Sequence, residues 1–165
     1  MDTDPMRTSD RTRHPLFEAL KYYGIRVFLS FTSALLVAIT LVFVGVDLPS
    51  DFHRELTLEL ALLMVLIGPA LETLYLAGVF YLVRVHISSA TTAAVVAGTA
   101  LAAVHSIFFW AWGLIVAIPF LIFSLPFRNE NEPLRARARK SFLLHATHNS
   151  LVVIVMLIDS SVGGV

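Results

Sequence analysis

The chain has no cysteine, and charged side chains make up only 15% of its 165 residues. Without cysteine, the protein can form no disulfide, bind no zinc through thiolates and use no thiol nucleophile. The sequence also lacks the basic stripe with interleaved aromatics that would indicate nucleic-acid binding. Apolar residues instead make up 57% of the chain, above the roughly 45–50% of soluble domains. They occur in long blocks, which indicates an integral membrane protein.

The apolar blocks predict an all-α, polytopic membrane protein, since a membrane helix needs about 20 apolar residues. We predict one membrane domain at 24–158, with spans at 24–46, 56–83, 90–109, 113–126 and 141–158. The fourth span is short and contains Pro119, so it is predicted either to tilt or to cross only in part. Residues 1–23 are predicted as a cytoplasmic tail that ends in an interfacial helix at 15–23, and residues 159–165 as a C-terminal tail.

The twelve Lys and Arg residues are unevenly distributed along the chain. Five precede or begin the first span, five lie between the fourth and fifth spans, and the other two are Arg54 and Arg84. With five spans, eleven of the twelve fall on one side of the membrane. Lys and Arg are enriched in cytoplasmic loops. We therefore predict a multi-pass protein of the cell membrane with a cytoplasmic N-terminus and an extracytoplasmic C-terminus.

Glu72 lies near the middle of the second span, three residues after Pro69. Gly68 and Pro69 interrupt the apolar run, and they predict a kink just before the acid. A carboxylate at this depth costs at least about 2.5 kcal/mol and is a functional-site hypothesis by default. Two roles are open for Glu72. It is either a protonated side chain that binds a neighbouring helix, or a general base in a dry pocket.

Other polar side chains lie on different spans from Glu72. His105 continues the face of a small-residue stripe that allows close helix packing, formed by Ala90, Ala94, Gly98 and Ala102. His145 and Asn149 are four residues apart and share a helix face, and His148 borders that face. An alternative places these last three at the cytoplasmic interface, because His145 follows Lys140 by only five residues.

We predict that Glu72, His105, His145 and Asn149 line one polar cavity. The reason is that polar groups exposed singly to lipid have no water to bind.

The order of these residues resembles the CPBP family of intramembrane proteases, which includes the type II CAAX prenyl endopeptidases and proteins linked to bacteriocin self-immunity. Its motifs are Glu-Glu-x-x-x-Arg, Phe-x-x-x-His and His-x-x-x-Asn. Here they correspond to 72–77, 101–105 and 145–149, within a CPBP-like core at about 58–158. Thr73 replaces the second Glu, Ala77 replaces the Arg, and Leu101 replaces the Phe.

The resemblance implies a membrane core with a polar cavity open to the cytoplasm, and a catalytic set of Glu72, His105, His145 and Asn149. Glu72 and His105 would activate a water molecule, and His145 and Asn149 would stabilise the oxyanion. The implied partners are membrane lipid and a peptide or prenylated protein substrate. The family is often called metallo-, which would imply zinc. The sequence has no His-Glu-x-x-His motif, and we expect hydrolysis without a cofactor.

Two other functions are open from the sequence. The replacements at Thr73 and Ala77 favour a catalytically impaired relative that binds a membrane peptide, or acts in immunity or as a scaffold. An ion or proton carrier would instead use Glu72 and the histidines as a relay. Five spans without an internal repeat disfavour a carrier.

Overall fold

The computed structural model describes residues 15–48 and 56–162. Five helices in these ranges are long and apolar enough to cross a membrane, and no strand occurs among them. The prediction of an all-α, polytopic membrane protein is therefore confirmed. The elements are α1 (Pro15–Phe43), α2 (Leu58–Leu62), a π-helical turn (Leu63–Ile67), α3 (Gly68–His86), α4 (Ala90–Phe108), α5 (Trp110–Ser124), a 3₁₀ turn (Leu125–Arg128) and α6 (Leu134–Val162).

The first and last helices extend beyond the predicted spans. Residues 15–23, predicted as a separate interfacial helix, are the first turns of α1 and continue into the span without a break. Helix α6 begins directly after Pro133 and carries a run of basic residues in its first turns. It also continues to Val162, into the predicted C-terminal tail. The predicted tail at 1–14 and residues 163–165 lie outside the described residues.

The fourth span is longer than predicted. Helix α5 and the 3₁₀ turn together give a continuous apolar segment from Trp110 to Arg128, long enough to cross a membrane. Pro119 lies inside α5 and is fully buried, and the helix continues past it to Ser124. Helices α4 and α5 pack with their backbones in close contact. A Cβ added to Gly98 would lie only 2.9 Å from the Phe120 carbonyl oxygen. The small-residue stripe thus serves close helix packing.

The faces of α3 show how the bundle is arranged. Thr73, Leu76 and Phe80 are buried on one face, while Leu71 and Leu74 are exposed on another. Exposed leucines on a helix of this length suit contact with lipid. The buried face packs against α4 and α6, and this packing directs Glu72 towards the same two helices.

Charged side chains concentrate at one end of the bundle, which we call the charged end. It comprises the start of α1, the end of α3, residues 125–133 and the first turns of α6. Arg84 pairs with Glu130 at 2.7 Å, and Lys140 pairs with Glu132 at 2.6 Å. Buried Arg137 donates to the Phe127 carbonyl at 3.1 Å. The Arg84 pair joins the end of α3 to the residues before α6, and the Arg137 bond joins α6 to the 3₁₀ turn.

Candidate functional site

The second span contains a widened helical turn that ends five residues before Glu72. The Gly68 N–H donates to the Leu63 carbonyl, which is the five-residue spacing of a π-helix. If the same five-residue spacing continued, the N–H of residue 69 would donate to the Met64 carbonyl. Pro69 has no N–H. The Asn149 amide nitrogen on α6 donates to this carbonyl at 2.7 Å instead. The predicted kink is therefore a π-helical turn, and Asn149 supplies its missing donor.

The Glu72 carboxylate lies between two imidazoles from two other helices. Its Oε1 is 3.7 Å from Nε2 of His105 on α4, and its Oε2 is 3.4 Å from Nε2 of His145 on α6. Both distances exceed those of ordinary hydrogen bonds, and a water molecule can touch both partners across such a gap. We call Glu72, His105 and His145 the mid-bundle cluster. The side chain of Glu72 is 24% exposed, so the cluster is accessible from one side.

His105 is oriented by its own helix. Its Nδ1 lies 3.0 Å from the Leu101 carbonyl oxygen, which can only accept. Nδ1 therefore carries the proton, and Nε2 is the basic nitrogen of the neutral ring. The ring also packs against Phe120, with centroids 4.8 Å apart. His105 is thus held with its basic nitrogen towards Glu72.

His145 is buried in an aromatic setting. Its ring stacks on Phe123, with centroids 4.5 Å apart and an interplanar angle of 20°. Within the described ranges, neither Nδ1 of His145 nor Oε2 of Glu72 has a hydrogen-bond partner. Buried polar atoms are seldom left unpaired in folded proteins. The helix packing alone does not satisfy this pair, and a bound water or substrate would do so.

His148 has a different role from its neighbour His145. The Ser30 hydroxyl donates to the Val27 carbonyl, and its oxygen lies 2.9 Å from Nδ1 of His148. Since the single hydroxyl proton is used, Nδ1 of His148 donates to Ser30. This buried bond joins α6 to α1. Ser30 could not be recognised as a partner from the sequence, because a serine in an apolar helix can bond to its own backbone.

The structure brings together three of the four predicted site residues. Glu72 meets His105 and His145, so His145 lies inside the bundle. Asn149 reaches the same span as Glu72 through the Met64 carbonyl, and one of its two amide hydrogens is used there. Thr73, at the position of the second motif Glu, is buried, and its hydroxyl has no partner in the described part of the chain.

Residues 15–48 and 56–162 contain no group of three or more His, Asp or Glu side chains arranged to hold a metal ion. The reaction proposed for the mid-bundle cluster uses its own side chains and no metal. Comparisons with protein-family models, curated proteins and solved structures find no match for this chain. The resemblance to CPBP proteases thus rests on the residue pattern.

Proposed function

We propose that this protein is a glutamate-dependent intramembrane endopeptidase of the CPBP type. The observation that supports the proposal is the position of Glu72, with one carboxylate oxygen towards each of two imidazole nitrogens at 3.7 and 3.4 Å. A carboxylate flanked by two histidines can hold a water molecule and accept its proton. Packing alone does not require three titratable groups from three helices to converge in this way.

In the proposed reaction, Glu72 takes a proton from a water molecule as the water oxygen bonds to the peptide carbonyl carbon. Nε2 of His105 accepts a hydrogen bond from the same water and orients it. His145 stabilises the negative oxygen of the tetrahedral intermediate, together with the second amide hydrogen of Asn149. Glu72 then gives the proton to the leaving amine as the carbon–nitrogen bond breaks. The proposed substrate is a membrane peptide or a prenylated protein.

The orientation in the membrane is part of this proposal. The charged end carries Arg84, Arg128 and the basic residues in the first turns of α6. With five spans, the sequence assigns eleven of the twelve Lys and Arg residues to one side of the membrane. The positive-inside rule supports a cytoplasmic N-terminus in the cell membrane. Substrates would then reach the mid-bundle cluster from the cytoplasmic side.

A second candidate is a catalytically impaired relative that binds a membrane peptide. Two observations favour it. One amide hydrogen of Asn149 is committed to the Met64 carbonyl. Thr73 also supplies a buried hydroxyl where the family has a carboxylate. Both features weaken the electrostatics that the reaction needs, and neither would prevent a peptide from binding.

Substitution of Glu72 by Gln separates the two candidates. Gln keeps the side-chain volume but cannot accept the proton. Turnover of a farnesylated peptide by the purified protein should therefore fall by about 10²–10⁴, with folding intact. Glu59→Gln is the matched control, because Glu59 is an exposed glutamate on the same span, and this variant should keep full activity. Equal turnover by wild type and Glu72→Gln would exclude glutamate-dependent catalysis. Peptide binding without turnover in the wild type would favour the impaired relative.

A further inference from the structure

A polar cavity lies at the charged end, lined by other side chains than the mid-bundle cluster. Its volume is about 380 Å³, and it opens between the start of α1, the 3₁₀ turn and the first turns of α6. Its polar lining consists of Tyr22, Arg26, Arg128, Asn129, Glu132 and Lys140. Three of these side chains are cations and one is an acid, so the cavity carries an excess of positive charge.

The single acid of the cavity is already paired. Lys140 Nζ donates to both carboxylate oxygens of Glu132, at 2.6 and 2.7 Å. The Arg128 side chain is exposed, and its guanidinium makes no hydrogen bond or ion pair with any residue that the structure describes. The positive charge that is not balanced inside the cavity therefore belongs to Arg26 and Arg128.

Arg26 is held in position without being neutralised. Its guanidinium lies over the Tyr22 ring, 3.7 Å from the centroid, and Nη1 donates to the Tyr22 carbonyl at 3.1 Å. Its Nε is buried and unpaired within the described ranges. A guanidinium fixed in this way loses little further side-chain freedom when an anion binds.

We infer that this cavity binds the phosphate of an anionic lipid headgroup. Arginine forks match phosphate oxygens in paired, charge-assisted hydrogen bonds. Basic pockets between membrane helices at the headgroup level suit anionic lipids. The turns of α1 next to Tyr22 also expose Phe17 and Leu20, at 64% and 63%, where acyl chains can lie. The combination of two guanidiniums that are not paired with an acid and an adjacent apolar helix face favours a lipid over free phosphate.

The test is native mass spectrometry of the full chain in detergent with dioleoylphosphatidylglycerol, dioleoylphosphatidylcholine or inorganic phosphate. The wild type should bind phosphatidylglycerol in preference to the other two. The double variant Arg26→Gln/Arg128→Gln should bind phosphatidylglycerol at least about tenfold more weakly, because hydrogen bonds from two charged groups are lost. Thermal unfolding in detergent checks that the variant is folded.

The matched control is Arg135→Gln/Arg139→Gln, which removes the same charge from two exposed residues outside the cavity. It should keep the wild-type affinity. Equal losses in both double variants would show nonspecific charge attraction and overturn the inference. Phosphate binding as tight as that of phosphatidylglycerol would overturn the lipid assignment. If the Gln variant unfolds, Arg26→Lys/Arg128→Lys keeps the charge but lacks the planar fork. It should still bind the lipid more weakly than the wild type, and undiminished binding would overturn the inference.

Discussion

The mid-bundle cluster and the charged end differ in how closely their carboxylates contact nitrogen atoms. At the charged end, Arg84 and Lys140 contact their acids at 2.7 and 2.6 Å. In the mid-bundle cluster, the two imidazole nitrogens lie 3.4 and 3.7 Å from the Glu72 carboxylate oxygens. Close pairs hold helices in place, whereas loose groups leave room for a reacting molecule. The difference supports a structural role for the pairs and a chemical role for the cluster.

The same contrast occurs between two histidines of α6. His148 is bonded to Ser30 at 2.9 Å and joins two helices. His145, three residues earlier, faces Glu72 and keeps an unpaired Nδ1 among the described residues. Both are buried histidines of one helix, so burial alone does not distinguish a structural group from a candidate catalytic one. The two histidines differ instead in what their ring nitrogens contact, which is Ser30 for His148 and Glu72 for His145.

After Glu72→Gln, the largest effect is expected from Asn149→Ala. The change removes a proposed oxyanion donor, and turnover should fall by about 10²–10³. It also leaves the Met64 carbonyl without its donor, which should cost about 1 kcal/mol of stability. Peptide hydrolysis and thermal unfolding in detergent measure the two effects separately.

Asn129→Ala is the control for this prediction. The Asn129 amide donates to Glu132 at the charged end, so its loss should leave turnover unchanged. If Asn149→Ala lowers stability but not turnover, Asn149 only completes the π-helical turn, and it leaves the proposed catalytic set.

The depth of the site residues shows what the sequence could predict. The five spans follow from apolar runs, yet straight helices with the predicted ends would place His145 only about 8 Å from the membrane boundary at Lys140. Helix α6 in fact begins at Leu134, and α3 continues to His86. At 1.5 Å per residue, His145 then lies about 17 Å from its helix end, and Glu72 and His105 about 21 and 23 Å from theirs. The last span was predicted to begin only at residue 141, because the basic residues in the first turns of α6 lower the hydropathy there.

Other contacts in the structure could not be predicted from the sequence. Pro69 predicted a distortion, but the sequence could not show that the result is a π-helical turn whose free carbonyl binds Asn149. The bond between Ser30 and His148 joins residues 118 positions apart. Such contacts depend on how whole helices rotate against each other, and the periodicity of a single helix does not fix that rotation.

The next largest effect is expected from a substitution in the helix packing that positions His105. Gly98→Leu places a side chain against the α5 backbone, where even a Cβ would be 2.9 Å from the Phe120 carbonyl oxygen. Overpacking of this kind should destabilise the protein by about 1–3 kcal/mol. Since α4 must then move away from α5, turnover should fall as well. Gly78→Leu is the control, because a Cβ at Gly78 meets nothing within 4 Å. Equal melting temperatures for the two variants would contradict the close approach of α4 and α5.

A smaller effect is expected from Ser30→Ala. The change removes the buried bond to His148 and should lower stability by about 1 kcal/mol, the usual scale for hydrogen bonds between membrane helices. Turnover should stay near wild type, because His148 is not part of the mid-bundle cluster. Ser33→Ala is the control, since the Ser33 hydroxyl bonds only to its own helix, at the Ser30 carbonyl. A loss of turnover in Ser30→Ala alone would place His148 in the site.

The smallest effect lies at the charged end and depends on pH. The Lys140 ammonium beside Glu132 holds the pKa of that carboxyl below the 4.5 of a free glutamate. A carboxyl with a lowered folded-state pKa stabilises the fold above its unfolded pKa, and it loses that contribution as the pH falls through the folded value. The melting temperature of the wild type should therefore drop slightly below pH 4.5. Glu132→Gln should remove this part of the pH dependence, whereas Glu130→Gln, which leaves the Glu132–Lys140 pair in place, should retain it. Identical acid profiles for all three proteins would show that the pair at the charged end does not contribute measurably to stability.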